Sequence, residues 1–289
     1  MKIIFFGSTT DSVLVLSRLD QIICVVTQPP RPVGRKQIVT PTPVEEWAKK
    51  QKIPVLSFPH QKDKPWLFEN EQTVIDTLQP FTADLLISAC FGQKIPIQTI
   101  RSAKLGGLNV HPSLLPKWKG ADPVPWAILA GDHQTGVTIV TLEERFDEGK
   151  IIAQQKYPIT DRDTSDEVRS KLFEIGAELL VENLLDYSSG KNSGKAQKSS
   201  STPFARRLTR KDGFISWEEF HPLLISNTDL LDRKLRAFSP WPGIWTVVKM
   251  KNAAKKRLKL IALKPSIIVQ LEGKKPVPYE QFAKAYLPY

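Results

Sequence analysis

The chain has 289 residues, of which 41% are hydrophobic and 25% are charged. These proportions predict a water-soluble globular protein with a sizeable core, in one or two domains. The absence of any run of about 20 apolar residues excludes a helical membrane protein, and the first residues lack the features of a signal peptide. Cys24 and Cys90 lie in apolar runs and are predicted to be buried free thiols, so we expect a cytoplasmic protein.

The formal net charge of +11 is concentrated in the last third of the sequence. Residues 201–289 contain 17 Lys and Arg against 7 Asp and Glu, a net of +10, whereas residues 1–200 are nearly neutral. This asymmetry indicates a polyanion-binding module joined to a near-neutral one. A solvated lysine-rich surface would give the same count, so charge alone does not decide for nucleic acid.

Strand-like and helix-like segments alternate through the first half of the chain. Strands are predicted at 1–7, 21–27, 83–91, 106–113 and 136–144, and helices at 41–53 and 164–188. Thr42 and Pro43 form a typical helix start, and Thr164 with Glu167 has the spacing of a capping box. The strand at 83–91 is apolar throughout, as in a sheet covered on both faces, while alternation at 136–144 favours an edge or half-exposed strand. The order predicts the α/β class, with a Rossmann-like, doubly wound, mostly parallel sheet.

A second domain is predicted after a polar segment. Residues 188–203 are rich in Ser, Gly and Lys and are interpreted as a flexible linker. Residues 204–289 contain short β-rich runs separated by Lys-rich and Pro-containing turns, which favours a small β-barrel. The predicted division is therefore a catalytic domain at 1–187, the linker at 188–203 and a basic domain at 204–289.

A doubly wound sheet invites a nucleotide-binding interpretation, which the sequence does not favour. The first strand-to-helix turn, GSTTDS, has a single glycine, Gly7, where a dinucleotide loop needs several. A GxxxxGK[ST] phosphate loop is also absent. The four histidines and two cysteines are scattered without the spacing of metal ligands, so no metal site is predicted.

Polar residues with catalytic potential end the strand in LNVHPS. Asn109 and His111 are two positions apart and share one face of the strand, at the edge of the sheet where ligands bind. Asp147 follows the strand at 136–144. An Asn amide can stabilise an oxyanion, a His can move a proton, and a carboxylate can orient that His, a set that suits acyl transfer to an amine. All three residue types also occur in purely structural roles at strand ends and turns, and Ser113 lacks the elbow sequence of a nucleophile.

The segment NVHPSLLPKWKGADPVPWAILAGDHQTGVTIVTLEERFDEGKIIAQ (109–154) resembles the signature region of the folate-dependent formyltransferases. The resemblance implies the formyltransferase fold, a 10-formyltetrahydrofolate donor, no metal, and Asn109, His111 and Asp147 as the catalytic residues. It also implies that the folate site is lined by Ser113, Leu114, Leu115 and Pro116. The segment FGQKIP (91–96) is similar to the border of the pterin pocket, which adds Phe91, Gly92 and Ile95 to that site.

Four further stretches resemble the branch of this family that formylates initiator methionyl-tRNA: residues 27–44, 214–220, 235–246 and 269–286. The first is similar to a basic loop that enters the acceptor arm of the tRNA, and it contains Arg31, Arg35 and Lys36. The other three are similar to landmarks of an OB-like domain that binds the tRNA backbone. In this region the implied tRNA-binding residues are Arg206, Arg207, Lys255, Lys256 and Arg257. A monomer is expected.

The sequence departs from the family pattern in three places. Only 36 residues separate Trp245 from Phe282, which predicts a shortened barrel. Asp122 stands where Ala is usual, and Lys150 stands where an acidic residue is common. Two alternatives therefore stay open: a sugar-amine N-formyltransferase with the same folate donor, and a non-catalytic RNA-binding relative.

Overall fold

The computed structural model describes residues 1–34, 36–198, 203–226 and 228–287. These residues cluster into two compact units. The first consists of Met1–Ala121, Gln134–Pro158 and Arg169–Ala205, and the second of Asp122–His133, Ile159–Val168 and Arg206–Tyr289. The units interrupt one another along the chain, unlike the predicted division at 187 and 204, which stays a prediction.

A seven-stranded sheet forms the centre of the first unit, with the strand order β5-β2-β1-β6-β7-β8-β9. Its strands are β1 (Ile3–Gly7), β2 (Ile22–Thr27), β5 (Val55–Ser57), β6 (Leu85–Ala89), β7 (Gly107–His111), β8 (Gln134–Thr141) and β9 (Ile151–Pro158), and a separate hairpin pairs β3 (Arg31–Val33) with β4 (Ile38–Thr40). The first five strands in the order run parallel. β8 is antiparallel to both of its neighbours, β7 and β9, so β9 runs in the same direction as the first five strands. Every residue of β1 and β6 is buried, as expected for strands covered on both faces. The predicted mostly parallel sheet is confirmed.

The helices include several that begin at a residue whose side chain caps them. In chain order they are α1 (Thr10–Leu16), α2 (Pro43–Lys50), α3 (Glu71–Leu78), α4 (Ile97–Ser102), α5 (Pro123–Ala130), α6 (Ser165–Ser188), α7 (Trp217–Ser226), α8 (Thr228–Ala237) and α9 (Tyr279–Tyr286). The Thr42 side chain accepts a hydrogen bond from the Glu45 N–H, and Glu167 accepts from both the N–H and the hydroxyl of Thr164. Both predicted helix starts are confirmed.

The turn between β1 and α1 is closed by its own side chains. The N–H groups of Ser8 and Thr9 donate to Ser12 Oγ, and the Ser12 hydroxyl donates to the backbone oxygen of Ala89. A Cβ at Gly7 would lie within 3 Å of three neighbouring atoms, so the glycine serves close packing. The amides that a dinucleotide fold offers to phosphate are therefore already hydrogen-bonded.

The strand predicted at 136–144 forms, but the prediction that it is an edge or half-exposed strand is wrong. β8 lies between β7 and β9 and is buried from Thr135 to Val140. The buried Thr138 side chain is hydrogen-bonded, since its hydroxyl donates to the Ser113 backbone oxygen at 2.6 Å. β9 forms this edge of the sheet instead, and no strand was predicted there from the sequence.

The predicted flexible linker begins with an ordered stretch, which we call the edge segment (residues 189–198). Lys195 exchanges two backbone hydrogen bonds with Ile151 in β9, at 2.8 and 2.9 Å. Asn192 Nδ2 donates to the Ile152 oxygen at 3.1 Å. These bonds join the edge segment to β9, while the linker as a boundary between domains stays a prediction. Residues 199–202 of the predicted linker lie outside the described residues.

The second unit contains an antiparallel sheet with the order β10-β11-β12-β13. Its strands are β10 (Ile244–Lys249), β11 (Lys255–Ala262), β12 (Ile268–Leu271) and β13 (Val277–Pro278). The sheet is consistent with a small barrel-like domain, and the finer OB-like assignment stays a prediction. In the same unit α5 packs against α8, and Asp122 Oδ2 accepts a hydrogen bond from the Leu208 N–H at 2.6 Å. The unusual Asp122 thus anchors the start of the segment that follows residue 205.

Cys24 is buried, as predicted, whereas Cys90, which was also predicted to be buried, is half-buried. Burial raises the pKa of the Cys24 thiol to about 12. Among the described residues, no helix is both long enough and apolar enough to cross a membrane.

Candidate active site

Strand β7 presents Asn109 and His111 on one face and Val110 on the other, as the two-residue repeat of a strand requires. β7 pairs with β6 on one side and with β8 on the other. His111 is 4% exposed, while Asn109 is half-buried. The two side chains therefore lie at the predicted end of the strand, with the His largely removed from solvent.

Asp147 completes the group. Its Oδ1 lies 3.4 Å from His111 Nδ1 and 3.5 Å from Asn109 Nδ2, and its Oδ2 accepts a hydrogen bond from the Gly120 N–H at 2.9 Å. Asp147 has a φ of 57°, in the left-handed region that a non-glycine residue seldom adopts. One carboxylate thus faces three donors, and the structure brings together all three residues predicted to be catalytic.

The His111 ring is held from both ends. Nε2 lies 3.0 Å from the Trp118 backbone oxygen, and Nδ1 faces Asp147. A carbonyl and a carboxylate are both acceptors, so the ring can donate to both only when both nitrogens carry protons. This arrangement suits a group that gives up a proton and recovers it.

The loop after β7 is fixed by a network of hydrogen bonds. Ser113 Oγ donates to the Lys117 oxygen at 2.7 Å, and the Leu115 N–H donates to Thr138 Oγ1 at 3.1 Å. Gln154 Nε2 donates to the Leu115 oxygen and to Thr138 Oγ1, at 2.8 and 2.9 Å. The Ser113 hydroxyl is fully buried and engaged, so within this loop it acts as a support.

The residues predicted to line the folate site differ in exposure. Leu115, Phe91 and Ile95 are buried in the core, Leu114 and Pro116 are half-buried, and Gly92 is exposed. Their role towards folate stays a prediction.

Gln93 gives a structural test of whether a pterin fits the segment FGQKIP. It is 3% exposed, and neither its amide nitrogen nor its amide oxygen has a partner among the described residues. Burying an amide without hydrogen-bond partners costs free energy. The Gln93 amide therefore offers one donor and one acceptor group that the polar edge of a bound ring can match. The flanking Phe91 supplies apolar surface. These residues fit a heteroaromatic ligand with a polar edge.

The basic residues predicted in the first unit lie on the hairpin β3–β4. Arg31 is in β3 and Lys36 is in the turn, and both are exposed, while Arg35 lies outside the described residues. Val33, Ile38 and Val39 of the hairpin are also exposed. The hairpin therefore carries apolar and basic side chains together on the surface.

The basic residues of the second unit differ in their contacts and in their exposure. Arg206 pairs with Asp212 through two guanidinium nitrogens and lies 4.8 Å from the Trp126 ring centroid. The Arg206 guanidinium holds the pKa of the Asp212 carboxyl far below its usual range. Arg207, Lys255 and Lys256 are exposed, and Arg257 is half-buried with its guanidinium 5.1 Å from the Trp245 ring.

Four contributors to the site were not predicted from the sequence. Two are backbone groups, the Trp118 oxygen and the Gly120 N–H, which no residue type signals. The other two are Gln93 and Gln197; Gln197 contacts the loop that carries Asp147. No group of three or more His, Cys, Asp or Glu side chains that could hold a metal occurs among the described residues.

The fold and the Asn–His–Asp group define a formyl transferase, and the Formyl transferase family model matches residues 1–184. A methionyl-tRNA formyltransferase from Listeria innocua is 39% identical over 253 residues, which cover 86% of this chain and 76% of that protein. The chain therefore belongs to the methionyl-tRNA formyltransferases of that family.

Solved structures share the fold at much lower identity. A sugar N-formyltransferase from Shewanella has a TM-score of 0.61 at 16% identity, covering 91% of this chain and 98% of that one. HypX from Aquifex aeolicus, solved in complex with tetrahydrofolic acid, has a TM-score of 0.61 at 17% identity, covering 98% of this chain and 47% of that one. At these identities the likeness shows the fold alone.

Proposed function

We propose that this protein transfers a formyl group from 10-formyltetrahydrofolate to the α-amine of initiator methionyl-tRNA in the cytoplasm, acting as a monomer. The observation that carries the proposal is the Asp147 carboxylate, placed between His111 and Asn109 in a chain of this family. The relatives at 36–39% identity named as methionyl-tRNA formyltransferases favour this substrate over an amino sugar.

The folate co-substrate supplies the formyl group. Half-buried Leu114 and Pro116, exposed Gly92 and the unpartnered amide of Gln93 would hold its ring system. Leu115, Phe91, Ile95 and Ser113 would form the packed layer beneath that surface. No metal enters the proposal.

Each catalytic residue has a role that its contacts support. Among the described residues, the hydrogen bond of Asn109 Nδ2 is a long one, at 3.5 Å to Asp147, so this amide can donate to a carbonyl oxygen that gains negative charge as an amine attacks. His111 would act through Nε2, which faces the Trp118 oxygen in this structure and would turn to donate to the same substrate oxygen and to move a proton to the departing nitrogen. Asp147, held by the Gly120 N–H, orients the His111 ring and balances its positive charge.

The acceptor arm of the tRNA would be bound by the predicted basic residues. Arg31 and Lys36 at the β3–β4 hairpin, together with Arg35, would approach the end of the arm. Lys255 and Lys256 of the second unit, with Arg207, Arg206 and Arg257, would contact its phosphates. Lys and Arg contacts to phosphate release counterions, so binding should weaken strongly as salt rises.

The proposal is tested by formylation of charged initiator tRNA with 10-formyltetrahydrofolate, beside a nucleotide-linked amino sugar. Asn109→Ala and His111→Ala should each lower kcat by about 10²–10⁴-fold, while the Kd for tRNA stays within about twofold because neither side chain carries a phosphate contact. The matched control is His60→Ala, which removes an exposed histidine of the same unit. Near-normal turnover in either catalytic variant, or activity with the amino sugar alone, would contradict the proposal.

A further inference from the structure

Gln197 lies in the edge segment, in a stretch that the sequence marks as featureless. Its amide nitrogen donates to two backbone oxygens of the loop that carries the catalytic carboxylate, Asp147 O at 2.7 Å and Gly149 O at 2.9 Å. The adjacent backbone pairing of Lys195 with Ile151 holds the edge segment in place two residues earlier. Gln197 thus joins the edge segment to the catalytic loop through a single side chain.

These contacts fix the orientation of the Gln197 amide. Both N–H groups have a carbonyl acceptor, and a flipped amide would instead place its oxygen against those two carbonyl oxygens. The amide oxygen is enclosed and has no partner among the described residues. Burying the amide oxygen without a donor is unfavourable, so the two hydrogen bonds of the amide nitrogen are what hold the side chain in this position.

The loop needs an external support because its backbone is unusual. Asp147 has a φ of 57°, in the left-handed region that is unfavourable for most non-glycine residues, although Asp tolerates it better than others. On the inner side, a Cβ at Gly149 would lie 1.9 Å from the Thr141 oxygen, so the loop is already pressed against β8. Gln197 binds the carbonyls of the same two loop residues, Asp147 and Gly149, and the loop is therefore clamped between β8 and the edge segment.

We propose that Gln197 is a positioning residue for formyl transfer: by bridging Asp147 O and Gly149 O, it keeps the Asp147 carboxylate aligned with His111 Nδ1 and the Gly120 N–H. The proposal rests on the proposed function, in which that carboxylate orients His111. Gln197 does not touch the reacting atoms; it acts through the loop.

The test uses two substitutions of Gln197 in the full chain. Gln197→Glu has the same shape but cannot donate at neutral pH, whereas the ammonium of Gln197→Lys can donate to both carbonyls. Misplacement of a catalytic group by about 1 Å can cost on the order of 100-fold, so we expect kcat of the Glu variant to fall about 10- to 100-fold with each KM within about twofold. The Lys variant should recover most of that loss. If the Glu variant does not fold, Gln197→Met removes the donor without adding a charge.

A matched control separates positioning from attachment of the edge segment. Asn192→Ala removes the hydrogen bond to the Ile152 oxygen and the one from the Gly194 N–H, and it removes no contact to residues 147–149. It should keep kcat within about twofold of wild type, because no catalytic group moves. An equal loss of kcat in Asn192→Ala and Gln197→Glu would overturn the positioning role.

A second readout does not depend on activity. The Gly120 N–H donates to Asp147 Oδ2, so its hydrogen exchange reports directly on the carboxylate. Exchange at Gly120 should be at least about tenfold faster in Gln197→Glu and unchanged in Asn192→Ala, since a local opening exposes only the affected amide. Wild-type exchange together with wild-type kcat in the Glu variant would sink this inference while leaving the proposed function intact. Loss of the proposed function would instead appear as an inactive wild-type protein.

Discussion

The Nε2 atom of His111 lies 3.0 Å from the backbone oxygen of Trp118, at the opposite end of the ring from Asp147. The imidazole ring therefore lies between two hydrogen-bond acceptors. Which of its nitrogens carry protons depends on whether the group facing Nδ1 accepts or donates a hydrogen bond. That relationship leads to a direct test at Asp147.

Asp147→Asn should lower kcat about 10²–10⁴-fold, the usual contribution of a positioned acid–base group. The Asn oxygen can still accept from the Gly120 N–H, which leaves the amide nitrogen facing His111 Nδ1. Nδ1 must then be the acceptor, so the ring is fixed as its neutral Nε2–H form. Steady-state formylation kinetics measure the loss, and Asp63→Asn, at an exposed aspartate, is the control. Equal kcat values for Asp147→Asn and wild type would show that the carboxylate does not act through the ring.

The Arg206–Asp212 pair predicts a pH-dependent stability. The folded pKa of Asp212 is lowered, chiefly by its hydrogen bonds with Arg206. Its stabilising contribution is therefore fully present above the unfolded carboxyl pKa of about 4 and is lost as pH falls through the folded pKa. Asp212→Asn should lower the urea midpoint clearly at pH 7 and progressively less below pH ~4.

Urea melts at several pH values make this measurement, with Asp161→Asn, an exposed aspartate of the same unit, as the control. A difference between Asp212→Asn and wild type that grows on acidification would contradict the assigned direction. The same pair also affects the role that Arg206 can have in tRNA binding, since its guanidinium already has a carboxylate partner.

Cys24 should be inert in the folded protein. With its thiol pKa raised to about 12 by burial, almost no thiolate exists at pH 8, and the side chain is enclosed. The unfolded thiol ionises near pH 8.5, so this group also makes the fold lose stability as pH rises from about 9 towards 12. Peptide mapping after treatment with an alkylating reagent should find Cys24 unmodified until denaturant is added. Rapid modification under native conditions would refute the burial of this thiol.

Electrostatic binding of tRNA should appear in its salt dependence. Each Lys that contacts a phosphate contributes about one unit to the slope of log K against log salt, so Lys255→Ala and Lys256→Ala should each reduce it by about 1. Lys171→Ala, which removes a cation paired with Glu174, is the control and should leave the slope unchanged. A wild-type Kd that barely changes between 50 and about 200 mM salt would contradict the role given to the basic residues.

The sequence predicts the positions of Asn109 and His111 correctly, for a physical reason. A strand alternates its side chains, so Asn109 and His111 had to share a face, and the end of a parallel strand is where a ligand can approach. The placement of Asp147 beside them depends on β8 running antiparallel to β7, which was not predicted; the resemblance to a family implied Asp147 as a catalytic residue, and the two-residue pattern did not.

The remaining parts of the site could not be read from residue types. The Trp118 oxygen and the Gly120 N–H are present in any sequence, and only the path of the loop aims them at His111 and Asp147. The edge segment has the composition of a linker, but its backbone pairs with β9, a tertiary contact that composition does not encode. The burial of β8 likewise depends on β9.

The pairing of the edge segment with β9 has a practical consequence for dividing the chain. A fragment ending at residue 187, where the helical pattern stops, would omit Lys195 and Gln197 and leave β9 as an open sheet edge beside the Asp147 loop. Exposed edge strands attract other chains, so such a fragment would be prone to aggregate. A recombinant catalytic fragment should therefore extend to at least residue 198.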